Sequence, residues 1–172
     1  KHKKQAMTLS SMGTTLIVVV IHGNVLYWAH VGDSRLYIFN NKIESITQIT
    51  EDHSFVMHLF KEGKINFSEM KKHPRRNEIT RAVGIKPELV VDKGHLTFDI
   101  NSVMLLCSDG LTSMVTDQSI NNCMKKHKII KKFNLKACMN ELIDMTYKAG
   151  AEDNVSVILA CDESLENGVN YE

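Results

Sequence analysis

Three short acidic segments carry the side chains best suited to chemistry: Val31-Gly32-Asp33-Ser34-Arg35, Ser108-Asp109-Gly110-Leu111 and Ala151-Glu152-Asp153-Asn154-Val155. Each sets an aspartate beside a strand-like apolar run. The run Val103 to Cys107 is uncharged and reads as a buried strand. It breaks at Ser108-Asp109-Gly110, where the glycine permits a sharp turn. A carboxylate at the end of a core strand is held more firmly than one on a free loop. Aspartates gathered from turns of this kind make an oxygen-rich pocket suited to a hard divalent cation. For Asp33 a second reading stands beside this one: a surface ion pair with nearby Arg35. Lys71, Lys72, Arg75, Arg76 and Arg81 form a basic cluster. It can attract a phosphorylated substrate, or serve as a solvated helix face. His53 and His73 read as capping or hydrogen-bonding residues, since hard cations prefer oxygen.

The elements that must position these residues follow from periodicity. Thr14 to Ile21 is dense in β-branched residues and predicts a buried strand. His22-Gly23-Asn24 is a turn, and Val25 to Val31 returns as a strand with both faces mostly apolar, hence central and covered on both sides. Arg35 to Phe39 follows the Asp33 turn, so these hairpin-linked strands predict an antiparallel meander. Residues 51–88 then form a polar excursion, read as a helical flap. A stripe at 55, 56, 59 and 60 stops at Gly63, and Asn66 with Glu69 marks a second helix start, ended by Pro74. Strands return at Leu89 to Val91, His95 to Phe98 and Val103 to Cys107. Thr116 caps a helix with Ile120, Cys123 and Met124 inward. Asn134 caps a longer one with Leu135, Cys138, Leu142, Met145 and Ala149 inward, closed by Gly150. A last strand runs through Val155, Val157 and Leu159.

The 172 residues are 43% hydrophobic and 24% charged, which fits one globular domain with a sizeable core. A formal net charge of +1 gives no global attraction to nucleic acid or anionic membrane. The longest strongly apolar run, Leu16 to Ile21, falls far short of the ~18 residues that read as a membrane span. With no leader sequence read at the start, the expected location is cytoplasmic. The four cysteines, Cys107, Cys123, Cys138 and Cys161, form no CxxC pair. They read as reduced thiols, with Cys107 and Cys138 packed in the core and no zinc site. Residues 1–12 read as a polar lead-in, 13–161 as the folded domain and 162–172 as an acidic tail.

Taken in order, several segments resemble a known family. They are Gly13-Thr14-Thr15-Leu16, Ala29-His30-Val31-Gly32-Asp33-Ser34-Arg35, Thr50-Glu51-Asp52-His53-Ser54, His73-Pro74-Arg75-Arg76-Asn77, Thr80-Arg81-Ala82-Val83-Gly84, Leu106-Cys107-Ser108-Asp109-Gly110-Leu111 and Asp153-Asn154-Val155. Together they resemble the PPM-type metal-dependent protein serine/threonine phosphatases in their bacterial form. The resemblance implies an α+β fold, a four-layer α-β-β-α sandwich of two antiparallel sheets with a flap. It implies Mn²⁺ or Mg²⁺, two or three ions per site, and a metal-activated water that attacks phosphoserine or phosphothreonine. Asp109 and Asp153 match catalytic and metal-holding positions. Asp33 matches a ligand of a more weakly held third metal. Ser108, Gly110 and Asn154 are supporting positions, and Arg75, Arg76 and Arg81 face the substrate from the flap. The implied partners are phosphorylated proteins, substrates of a serine/threonine kinase.

The family also carries a phosphate-binding arginine and an Asp-Gly-x-Gly-Gly turn with a metal-bridging aspartate. In this sequence the Asp-Gly is Asp109-Gly110, already assigned. The expectation is therefore a domain incomplete at its N-terminus, whose residues alone turn over little. The alternative function is a catalytically inactive pseudophosphatase that binds or regulates phosphoproteins.

Overall fold

The computed structural model describes residues 12–129 and 132–162. Nearly all of the polar lead-in and the acidic tail lie outside them. The chain divides into two compact units. The first holds the chain up to Val20, Tyr27–Ser34 and Glu51–Gly94. The second holds Ile21–Leu26, Arg35–Thr50 and the chain from His95 onward.

The strands β1 (Leu16–His22), β2 (Val25–Val31) and β5 (Asp92–Thr97) form a sheet in the order β1-β2-β5. Strands β3 (Arg35–Asn40), β4 (Ser45–Gln48), β6 (Ser102–Cys107) and β9 (Val157–Cys161) form an antiparallel sheet in the order β4-β3-β6-β9. The expected single meander is thus corrected. After β2 the chain leaves the first sheet, and β3 pairs with β4 and β6. Gly32, at φ +116°, makes that change of direction at the Asp33 turn.

Two burial expectations also change. β1 is not a buried strand: Leu16, Val18 and Val20 are 52%, 46% and 56% exposed. It is an edge strand, and no described segment covers those side chains. β2 is central in its sheet, but its second face is covered only in part: Leu26 and His30 are buried on one face, while on the other Val31 is buried and Tyr27 exposed. Leu89 to Val91 is not a strand; all three are exposed, and β5 begins at Asp92.

The core of the second unit lies on one face of the four-stranded sheet. Tyr37, Phe39, Val103, Leu105 and Cys107 meet Leu111, Val115, Ile120, Cys123, Met124, Phe133, Cys138 and Leu142. Leu36 and Met104 are buried too, so β3 and β6 are covered on both faces. Helix α3 (Asp109–Thr112) follows β6 directly. Helix α4 (Asp117–His127) starts where Thr116 Oγ1 accepts from the Ser119 amide, and buries Ile120, Cys123 and Met124. Helix α5 (Leu135–Lys148) is capped by Asn134 and buries Cys138, Leu142 and Thr146; Ala149 is exposed, one residue past the helix. A small hairpin, β7 (Lys128–Ile129) with β8 (Lys132–Phe133), joins α4 to α5. No periodic signal marked it.

In the first unit, the flap carries helix α1 (Phe55–Lys61), capped by Ser54, and helix α2 (Phe67–Lys72). Asn66 and Glu69 form a reciprocal capping box at α2, as the sequence predicted. Only Val56 of α1 is buried, because the stripe is short and Phe60 packs outward, edge-on to Phe67. No helix among the described residues is long and apolar enough to cross a membrane.

Candidate metal centre

In the second unit, antiparallel pairing of β6 with β9 sets Cys107 opposite Val157. The chain just after β6 therefore runs beside the chain just before β9. This brings Ser108 and Gly110 against Asn154 and Val155, and so joins the turns that carry Asp109 and Asp153. Ser108 is the N-cap of α3, yet its hydroxyl makes no capping bond. Instead Oγ accepts from the Ser156 amide at 3.0 Å and donates to the Asn154 carbonyl at 3.3 Å. The Ser108 amide donates to the Ser156 carbonyl at 3.0 Å. Gly110 lies so close to Asn154 that a Cβ on it would sit 2.9 Å from the Asn154 carbonyl carbon and overlap the oxygen. The glycine is thus required by close approach rather than by backbone angle. Asn154 braces the pair of turns through its main chain.

Asp109 is half-buried at the first position of α3, and Asp153 is exposed. One Asp153 carboxylate oxygen accepts from the Asn154 amide at 2.7 Å, which fixes the side chain. The segment from α5 to Asp153 turns through Gly150 at φ +118° and Ala151 at φ +45°. For alanine that region costs energy. The Ala151 amide, donating to the Thr146 carbonyl at 3.1 Å, helps hold it there. An open depression of about 410 Å³ is bounded by Tyr147, Ala151, Glu152, Asp153, Asn154 and Val155.

Asp33 belongs to the first unit, half-buried in the turn after β2. Its neighbour Gly32 is held at both ends by His53. The Gly32 amide donates to His53 Nδ1 at 3.1 Å, and the His53 amide donates to the Gly32 carbonyl at 2.8 Å. With Nδ1 accepting, the ring proton sits on Nε2, which donates to Asp92 Oδ2 at 3.0 Å. Arg81 Nη1 donates to Asp92 Oδ1 at 2.8 Å. The His53 bond, then the Arg81 pair, holds the Asp92 carboxyl below its ordinary range. A relay Arg81–Asp92–His53, buried at His53 and partly exposed at Arg81 and Asp92, thus fixes the backbone of the Asp33 turn. Thr15 also bonds Ser34 at 3.1 Å, and its side chain occupies the space a Cβ on Gly32 would need.

His53 is the hydrogen-bonding residue the sequence predicted. No sequence feature marks Asp92. It lies 39 residues from His53, so no local spacing announces the pair. His30 is fully buried and stacks on His53 with ring centroids 4.7 Å apart. Neither of its ring nitrogens has a hydrogen bond of ordinary geometry among the described residues. Burial, reinforced by His53, lowers its pKa.

The flap arginines are differently engaged. Arg75 forms a two-point pair with Glu78, both contacts 2.6 Å, and lies 3.5 Å over the Phe55 ring. Arg81 is committed to Asp92. Arg76 is exposed and makes no ion pair among the described residues.

These sites combine hard oxygen donors on strand-end turns with an α+β fold of two antiparallel sheets and helices. A family model for protein phosphatase 2C matches residues 1–57. The serine/threonine phosphatase stp of Listeria welshimeri is 34% identical over 167 residues, 97% of this chain and 64% of that protein. The crystal structure of the Mycobacterium tuberculosis serine/threonine phosphatase PstP/Ppp superposes with a TM-score of 0.81 at 33% identity, over 92% of this chain and 63% of that one. The catalytic domain of PstP in complex with two manganese ions gives a TM-score of 0.76 at 30% identity, over 92% and 62%. Over nearly its whole length the chain is thus similar to phosphatases of the protein phosphatase 2C family, the PPM type. It spans about 64% of the length of the first curated relatives it matches.

Proposed function

We propose that the protein hydrolyses phosphoserine and phosphothreonine in other proteins, using Mn²⁺ or Mg²⁺ held in part by Asp109 and Asp153. The observation that carries this reading is the joining of the Ser108-Asp109-Gly110 turn to the Asp153-Asn154 turn, with Gly110 packed on the Asn154 carbonyl. Carboxylates so fixed fit the ion type: both are oxygen donors, and a hard cation selects oxygen. When bound, such ions supply Lewis-acid neutralisation of phosphate charge and a water of lowered pKa.

The chain's own residues bind and orient. Asp109 and Asp153 provide the anionic oxygens. Ser108 and the Asn154 main chain fix the angle between the two turns. Asp33 is proposed as a ligand of a further, weaker ion, with Arg81, Asp92 and His53 as the residues that position its turn. Arg76, together with Arg75 and Arg81 in the same flap, is proposed to draw in the phosphorylated substrate through charge. The substrates proposed are proteins phosphorylated by a serine/threonine kinase. Support comes from the relatives' own names as serine/threonine phosphatases and from the two manganese ions of the PstP complex.

The test is phosphate release from a phosphothreonine peptide by the full-length protein, with Mn²⁺ and with chelator. The expected result is release that requires the metal and is lost in Asp109→Asn while far-ultraviolet circular dichroism is unchanged. A neutral amide cannot replace an anionic ligand. Equal turnover with chelator, or in Asp109→Asn, would refute the assignment.

A further inference from the structure

A second cluster of ligating atoms lies in the helical layer, on residues the phosphatase reading does not use. Cys123 and His127 are four apart on α4, one turn along the same face. Glu141 lies on the packed helix α5. Cys123 Sγ, a ring nitrogen of His127 and a carboxylate oxygen of Glu141 all lie within 4.8 Å of one another. Among the described residues this is the one such trio of His, Cys, Asp or Glu atoms. His127 Nε2 is 2.7 Å from Glu141 Oε2, so the imidazole and carboxylate already face each other.

We propose that Cys123, His127 and Glu141 bind one Zn²⁺ ion, with water in the fourth position, as a clip between α4 and α5. The donor set selects the metal. A thiolate with an imidazole favours a borderline-soft ion such as Zn²⁺ over Mn²⁺ or Mg²⁺, which suit all-oxygen sites. A tetrahedral site with metal–ligand bonds of ~2.0–2.3 Å sets ligand atoms roughly 3.3–3.8 Å apart. The trio, all within 4.8 Å of one another, is near that spacing, and the 2.7 Å His127–Glu141 contact must open to reach it.

The surroundings favour the ion as well. Cys138 Sγ lies 3.9 Å from Cys123 Sγ, where its thiol can donate to a metal-bound sulfur. That separation is far from the ~2.05 Å of a disulfide. Lys126 Nζ now holds both Glu141 oxygens at 2.9 and 2.8 Å. Lys126 is exposed and Glu141 half-buried, and a pair so open to water contributes little, so a divalent ion displaces it readily. Cys123 is buried while His127 and Glu141 reach the surface, which gives the ion a route in. Binding releases the Cys123 proton to solvent. Nothing in the sequence announces the trio, because a cysteine four residues from a histidine, with a distant glutamate, matches no zinc spacing.

The test uses Co²⁺ as a coloured stand-in for Zn²⁺ on the full-length protein under reducing conditions. One equivalent should give a near-ultraviolet thiolate-to-cobalt band and tetrahedral visible bands, both bleached by Zn²⁺. C123S should abolish the thiolate band. H127Q and E141Q change surface-reaching side chains and keep the test valid should C123S misfold. Each should weaken Co²⁺ binding by at least about tenfold, the lower bound seen for even an outer-sphere partner. D109N, on the other cluster, should leave the band unchanged. Absence of a thiolate band at saturating Co²⁺, its survival in C123S, or unchanged affinity in both H127Q and E141Q would overturn the proposal.

Discussion

Gly110 shows how one hydrogen in place of a methyl group can set up a site. Its neighbour Asp109 carries the charge, but Gly110 decides how near that charge comes to the Asp153 turn. Gly110 sits in a helical turn where alanine would cost nothing in backbone angle. The added Cβ would instead meet the Asn154 carbonyl, which is main chain and cannot rotate away. We expect Gly110→Ala to separate the two turns and weaken Mn²⁺ binding, with secondary structure intact. Metal titration of the purified variant checks this, and wild-type affinity would show that the close approach is dispensable. The sequence marked Ser108, Asp109, Gly110, Asp153 and Asn154, because turn chemistry after an apolar run is local. It gave no sign that Asn154 acts through its main chain, or that Ala151 adopts φ +45°, since neither leaves a trace in residue type.

Strand β6 is the element on which Asp109 depends. It lies between β3 and β9, and Leu105 is paired with Tyr37 on one side and Leu159 on the other. Leu105 is fully buried. Leu105→Ala should destabilise the protein by about 2–5 kcal/mol, the range for a core leucine that leaves a cavity. Denaturant unfolding measures it, and a loss below ~1 kcal/mol would mean the site collapses around the gap. Strands like β6 were legible because uncharged runs ending in Gly or Asp leave few alternatives. β1 was misread for the same reason: its β-branched run looks buried, yet exposure depends on which sheet position the strand takes. The break between β2 and β3 was hidden too. A Gly-Asp-Ser turn can close a hairpin or lead to another sheet, and local sequence does not choose.

For the molecule as a whole, the net charge of +1 leaves individual titrations to set the pH dependence of stability. The His30 pKa is lowered in the fold from 6.5, chiefly by burial. Below that value the unfolded chain binds a proton that folded His30 resists. Stability therefore falls as pH drops through the ordinary imidazole range, and this loss levels off below the folded pKa. Asp92 is lowered from 3.8 by His53 and Arg81, so its contribution is present above that value and fades in stronger acid. His30→Leu should flatten the first decline and cost little at neutral pH, because a buried imidazole without a hydrogen bond of ordinary geometry is exchanged for an apolar group. Thermal unfolding across the range would test it; an unchanged slope would mean that another group carries the titration. The order of motifs along the chain made the α+β architecture readable, whereas the Arg81–Asp92–His53 relay is a product of folding and was not.

Mn²⁺ binding to the full-length protein, followed by electron paramagnetic resonance, puts the Asp109–Asp153 assignment to its plainest test. Free Mn²⁺ gives a sharp signal that is lost on binding, so the readout does not depend on substrate or turnover. Wild type should sequester Mn²⁺. Asp109→Asn and Asp153→Asn should each bind it at least about tenfold more weakly while remaining folded. Equal affinity and stoichiometry in wild type and both variants would contradict the assignment and place the metal on other residues.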